Sequence, residues 1–280
     1  MKDRWFVTLF LGAGLLTACE PSTTGPTASA TSEAPPSTEP APASPPPATP
    51  PEPTPSGTGG APSSSPPPKG TSGLTRTVLL VPGTTITGDY FDAMAARLTA
   101  DGFHPVVFVP PDLFTESLAT GAQRIAAAVD DTLAQTGEDR IDIVAECDGG
   151  VATRYFLQVL GGDPRVDEVV TFVSAHHGTW LSPVGGVVTG FQALSDITPG
   201  SPFLETLNAA PFPPGLKLTS IYSCNDELMV PYDTSVVDGA TNVLFCDHYI
   251  SHFDGFTDPL VYERIRLTLT GKGDTAPTQY

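Results

Sequence analysis

Ile141-Asp142-Ile143-Val144-Ala145-Glu146-Cys147-Asp148-Gly149-Gly150 is the stretch that decides the fold. Ile141 to Ala145 is short, apolar and rich in β-branched residues, which marks a buried strand. Beyond it, Val151 to Leu160 reads as a helix closed by Gly161-Gly162. Between them the chain must turn sharply around Cys147. Such a turn is crowded, and the side chains two before and two after its apex must be small. Ala145 and Gly149 meet that demand. Cys147 then projects from the apex, with the N-terminus of the following helix pointing at it. The helix dipole there favours negative charge on sulfur or on an oxyanion.

Outward from this stretch the same alternation repeats. Apolar β-branched runs predict strands at Thr77–Val81, Val106–Val109, Val169–Val173, Leu216–Tyr222 and Asn242–Phe245. Helical spacing joins Phe91, Met94, Ala95 and Leu98, with Asp89 as the expected N-cap. It recurs from Leu118 to Gln135, ended by Gly137, and from Pro259 to Leu269, with proline in the first turn. Strands alternating with helices imply right-handed crossovers and a mostly parallel sheet of about six strands, covered by helices on both faces. From Ser174 to Pro214 strand signals are sparse. That segment is expected to form loops and short helices over the C-terminal edge of the sheet, where ligands bind in such folds.

The N-terminal quarter has a different character. Lys2 and Arg4 precede an uncharged apolar run from Trp5 to Leu16, too short to span a bilayer and suited to a secretory signal. The run ends in Leu16-Thr17-Ala18-Cys19, which resembles a bacterial lipobox. The resemblance implies a lipoprotein signal peptide over 1–18, cleavage before Cys19, lipidation of its sulfur and a membrane-anchored, exported protein. From 19 to 73 the chain is dominated by Pro, Ser, Thr, Ala and Gly. It is expected to be a disordered linker, because it has too little apolar surface to offset the entropy of ordering. Residues 74–280 suit one domain. A formal net charge of −18 argues against nucleic acid as a partner. With Cys19 taken by lipid, three of the four cysteines remain, an odd set in an oxidising compartment; one pair plus one free thiol is the simplest arrangement.

The ordered motifs resemble the small secreted lipases and esterases of bacilli and their actinobacterial relatives, within the α/β-hydrolase superfamily. The resemblance rests on Val81-Pro82-Gly83-Thr84, the elbow at 142–150, Thr219 to Ser223 before an Asp, Asp238 to Val243, and Ser251-His252-Phe253. It implies Cys147 as nucleophile where the family carries serine, Asp226 as the acid and His252 as the base. The oxyanion donors would be the backbone N–H groups of Thr84 and Asp148. His248 competes with His252 as base, and Glu227 and Asp233 compete with Asp226 as acid. The family's His-Gly after the first strand is Pro82-Gly83 here, and Glu146 and Asp148 flank the thiol with charge that raises its pKa. Cys224 and Cys246 follow the fifth and sixth strands; bridged, they would join the Asp226 loop to the His252 loop, whereas two buried free thiols are the other possibility. His176-His177 lacks spaced partners for a metal, and no metal or organic cofactor is expected.

The implied function is acyl hydrolysis of small-molecule or lipid esters by a monomeric, anchored protein. Two readings compete with it. One is a catalytically silent surface binding protein on the same scaffold. The other is a thioester or lactone hydrolase, or an acyltransferase. Trp180, Leu181, Val187, Val188, Phe191, Leu194, Phe203 and Leu204 either line an acyl pocket or pack as a small cap.

Overall fold

The computed structural model describes residues 76–280. The expected signal peptide, the lipidated Cys19 and the linker to residue 73 lie outside the described residues.

Six strands form one parallel sheet: β1 (Thr77–Val81), β2 (His104–Val107), β3 (Ile141–Glu146), β4 (Val166–Phe172), β5 (Lys217–Ser223) and β6 (Thr241–Phe245), in the order β2-β1-β3-β4-β5-β6. The order reverses direction at β1 and β3, and that switch point is where the chain places Cys147. The central strands β1 and β3 are buried on both faces, which is why they read as nearly continuous apolar runs; the buried Asp142 in β3 is paired with Arg76. Alternate residues feed two cores. Leu79, Val81, Ile143 and Ala145 pack with Ile125 and Val129 of α2 (Leu118–Thr136) and with Phe156 of α3 (Cys147–Gln158). Val78, Leu80 and Val144 pack on the other face with Met94 and Leu98 of α1 (Asp92–Ala100) and Ile265 of α7 (Pro259–Leu269). The expected six-stranded α/β architecture with helices on both faces is the one observed.

Element boundaries differ from expectation, as in β4, which starts at Val166 rather than Val169, and three differences have a local physical cause. β2 starts at His104 rather than Val106 because its register follows β1, with Thr77 opposite His104 and Val78 opposite Pro105. Proline is tolerated there because β2 is an edge strand. Asp89 does not cap α1: it lies inside a 3₁₀ turn at Gly88–Phe91, and its carboxylate accepts from the Thr87 hydroxyl instead. α3 starts at Cys147, four residues before the apolar run at Val151. Gly149 and Gly150 are poor helix formers, and they conceal its first turn in the sequence.

Between β4 and β5 lie three short helices, α4 (Ser182–Thr189), α5 (Gln192–Asp196) and α6 (Pro202–Ala209), above the C-terminal edge as expected. Phe203, Leu204 and the half-buried Leu194 belong to the core on the α2–α3 face. Trp180, Leu181, Val187 and Val188 point outward, with Val187 87% exposed. The segment is therefore part cap and part apolar surface. No helix among the described residues is long and apolar enough to cross a membrane.

Candidate active site

The elbow is built by backbone geometry. Cys147 has φ 51°, in the left-handed region that a non-glycine residue enters only when its surroundings enforce it. The neighbours do enforce it. A Cβ on Gly149 would lie 2.0 Å from the Pro82 carbonyl oxygen, and one on Gly150 would lie 2.0 Å from the Ser174 hydroxyl. A Cβ on Gly83 would lie 2.6 Å from the Cβ of Cys147. The loop after β1 and the first turn of α3 are thus in direct backbone contact, and only glycine permits it. The Thr84 hydroxyl ties the two together further, donating to Asp148 Oδ2 and standing 3.1 Å from the Phe114 carbonyl. The Thr84 backbone N–H makes no hydrogen bond among the described residues, whereas the Gly83 N–H donates to Glu146 Oε2 at 2.8 Å.

The residues expected to act as acid and base lie on the loops after β5 and β6. Asp226 is held by the N–H groups of Leu228 and Met229, which donate to Oδ1 at 2.8 and 2.9 Å. Its carboxylate faces His252 Nδ1 at 3.0 and 3.1 Å. That contact fixes the tautomer with the proton on Nδ1 and leaves Nε2 as the free base. Glu227, the sequence rival of Asp226, holds the backbone of the same histidine, where its Oε2 accepts from the His252 N–H at 3.0 Å. His248 pairs with Asp258, the N-cap of α7, at 2.7 Å. Asp233 lies in a separate 3₁₀ turn. Cys224 and Cys246 form a disulfide with Cα atoms 5.2 Å apart, joining the start of the Asp226 loop to the start of the His252 loop. Cys147 is free.

Cys147 Sγ, a ring nitrogen of His252 and a carboxylate oxygen of Glu146 all lie within 4.8 Å of one another. The position of Glu146 is what sequence reasoning missed. It appears there only as a charge beside the thiol. In the structure it is fully buried, and its Oε1 stands 3.6 Å from His252 Nε2, the ring nitrogen turned away from Asp226. Its place in β3 was the available signal: two residues beyond Val144, it shares that residue's face of a strand buried on both sides.

These charges are costly where they are. Burial pushes the Glu146 carboxyl up to about 7, against the pull of His252 and the Gly83 N–H. Burial likewise lifts Asp148 to about 6, opposed by the Thr84 hydroxyl. Dense packing, then the carboxylates of Asp148 and Glu146, drive the Cys147 thiol well above its usual range; the Asp148 N–H directed at the sulfur opposes this only in part. For His252, burial disfavours the cation, but Asp226, Glu146 and Asp148 outweigh it and the imidazole is raised. The resting site is a neutral thiol beside a ring that readily holds a proton. Tyr90 borders the same site. Its hydroxyl donates to the Phe253 carbonyl at 2.9 Å, and burial, then the charge of Glu146, raises its phenol.

His176 is buried, with Nε2 at 3.1 Å from the Thr171 hydroxyl, while His177 is exposed. The adjacent histidines diverge, as their spacing requires. A separate cleft of about 230 Å³ is lined by Glu168, Lys217, Thr241, Thr268 and Asp274. It opens at the N-terminal ends of β4 to β6, at the opposite edge of the sheet from Cys147, and there Lys217 pairs with Glu168 at 2.9 Å.

No protein-family model matches the sequence. Solved structures do share the fold. Aspergillus fumigatus lipase B aligns with a TM-score of 0.60 at 17% identity over 70% of this chain and 52% of its own. The propeptide form of a Bacillus licheniformis lipase aligns at 0.58 with 15% identity, over 69% and 50%. A gene product of Listeria innocua aligns at 0.54 with 15% identity, over 74% and 98%. The chain therefore spans about half the length of the two lipase chains named here. At these identities the likeness establishes the architecture.

Proposed function

We propose that this protein, an α/β-hydrolase by fold, is an acyl hydrolase that cleaves carboxylic esters through Cys147, His252 and Asp226. One observation carries the reading. A thiol at the apex of a left-handed elbow lies within 4.8 Å of a histidine whose far nitrogen is clasped by a buried carboxylate. In this reading the Cys147 S–H proton passes to His252 Nε2 as sulfur bonds to the carbonyl carbon. The carbonyl electron pair moves onto oxygen, held by the N–H groups of Thr84 and Asp148. Collapse of that intermediate expels the alkoxide, which takes the proton from His252. Water, deprotonated by the same ring, then attacks the thioester and the thiol recovers its proton. Asp226 orients the ring and stabilises the imidazolium throughout.

Apolar acyl groups suit the surroundings. Trp180, Leu181, Val184, Val187 and Val188 expose an apolar surface above the C-terminal edge, and the Trp180 N–H is bonded to the Val230 carbonyl in the Asp226 loop. Lipid esters are accordingly the preferred substrates, met by a chain tethered outside the cytoplasmic membrane through Cys19.

A second reading has its own support: Glu146 against Nε2 and the raised thiol favour a silent scaffold that binds without turnover. A burst assay decides. The full chain is mixed with p-nitrophenyl esters of short and long acyl groups and followed by intact mass spectrometry, alongside Cys147→Ser and Cys147→Ala. Acylation of Cys147 with turnover is expected. Activity in Cys147→Ser alone would instead establish a competent serine scaffold that the native thiol has switched down.

A further inference from the structure

Glu146, Cys147 and His252 form more than a strained triad. Among the described residues, the only basic partner of the Glu146 and Asp226 carboxylates is His252. Asp148 adds a third carboxylate, buried beside the other two. Glu146 divides its roles: Oε2 is pinned by the Gly83 N–H, while Oε1 is buried, has no hydrogen-bond partner and faces Nε2 at 3.6 Å. An orphaned, buried carboxylate oxygen is costly, and an ion is one of the groups that can complete it.

The donor set identifies that group. A tetrahedral zinc takes imidazole nitrogen and carboxylate oxygen at ~2.0–2.2 Å and thiolate at ~2.3 Å, which puts ligand atoms roughly 3.3 to 3.7 Å from one another. The Nε2 to Oε1 spacing already matches. With all three donor atoms within 4.8 Å, a shift of the Cys147 side chain by about an ångström completes the cradle. Asp226 on Nδ1 supplies the carboxylate–histidine support that points Nε2 at a metal. Thiolate with imidazole favours zinc over magnesium or calcium, and three protein ligands leave a fourth position open.

We propose that Glu146, Cys147 and His252 are the ligands of a zinc site at the elbow, and that bound zinc holds the thiol out of covalent chemistry. On binding, the Cys147 S–H bond breaks, its proton goes to solvent and a sulfur–zinc bond forms. The metal also takes the Nε2 lone pair, so the two atoms that acylation needs are both occupied. This second half rests on the thiol-hydrolase reading; the metal site does not.

The test uses the full chain after removal of metal by a chelator. Cobalt(II), as a spectroscopic probe for zinc, is expected to bind at one equivalent with a near-ultraviolet thiolate-to-metal charge-transfer band that zinc abolishes. Cys147→Ser removes the band. Glu146→Gln, of the same shape, weakens zinc binding at least as much as loss of a supporting residue, which costs ~10- to 100-fold. Asp226→Asn weakens it within that range, and circular dichroism reports whether each variant is folded. No band in the wild type, or equal zinc affinity in folded Cys147→Ser and Glu146→Gln, overturns the site. In parallel, hydrolysis of p-nitrophenyl butyrate is expected to fall in proportion to zinc occupancy. Full hydrolysis at full occupancy overturns the blocking role. Zinc binding without hydrolysis in either state supports the metal site and ends the hydrolase reading.

Discussion

The two halves of the site are built to different standards of comfort. The Asp226–His252 half is fully provided for. Two backbone N–H groups and a ring nitrogen satisfy the carboxylate, Glu227 holds the histidine backbone, and a disulfide joins the two loops. The Glu146–Cys147–Asp148 half is the reverse. It has a left-handed cysteine, two buried carboxylates each with an orphaned oxygen, and a thiol held in its neutral form. The first half is positioned by satisfied hydrogen bonds, the second by glycine-enabled crowding. Preorganisation and stored cost lie side by side, and the stored cost is where chemistry or a cation has something to gain.

Several substitutions separate the two halves, beginning with the largest effect. Asp226→Asn removes the charge that orients His252 and is expected to lower kcat on the order of 10⁴-fold, while Glu227→Gln, which touches only the backbone N–H, lowers it less than tenfold. Steady-state kinetics on the two variants measures the contrast, and equal losses would break it. Gly149→Ala drives a Cβ into the Pro82 carbonyl and is expected to destabilise by about 3 kcal/mol, read by chemical denaturation. A wild-type midpoint would mean that the crowding is slack.

Glu146→Gln relieves the elbow half. In metal-free protein the raised thiol makes alkylation of Cys147 slow at neutral pH and faster with each rise in pH. Removing the Glu146 charge is expected to move that profile to lower pH and speed labelling at pH 7 by about tenfold, the equivalent of one pKa unit. An unmoved profile would show that Glu146 does not bear on the sulfur.

The smallest effect lies beside both halves, at the cap of α7. For Asp258, burial favours the neutral acid, but His248 and the N–H groups of Val261 and Leu260 outweigh it, so the folded pKa lies below the unfolded one. Its contribution is therefore present above the unfolded value and lost as pH falls through the folded value. Asp258→Ala is expected to cost about 1 kcal/mol at neutral pH and progressively less in acid, measured by urea unfolding across pH. A penalty that does not shrink on acidification would contradict a charged cap.

Much of this was legible in the chain. The largely apolar runs at 77–81 and 141–145, broken only by Thr77 and Asp142, marked the central strands, because strands buried on both faces do not alternate apolar with polar. Helix α7 was readable over Pro259–Leu269, with proline marking its first turn, while its Asp258 cap emerged only in the structure. The helix after Cys147 was legible in kind but not in its start, since the glycines that allow the elbow also mask the first turn. Among the histidines, motif order favoured His252, while its hydrogen bond to Asp226 depends on loops 26 residues apart in sequence.

By itself the sequence determined the parallel sheet, the elbow at Cys147 and the order of its partners, since each depends on local period, small residues at fixed offsets and motif succession. Only the tertiary structure decided that Glu146 turns back to face His252 Nε2, that Glu227 serves the backbone and not the ring, and that the valines of α4 stay outside the core. Those outcomes depend on which side chains from distant segments compete for the same few ångströms. That competition is settled by packing and by the cost of burying charge, neither of which is written at any single position.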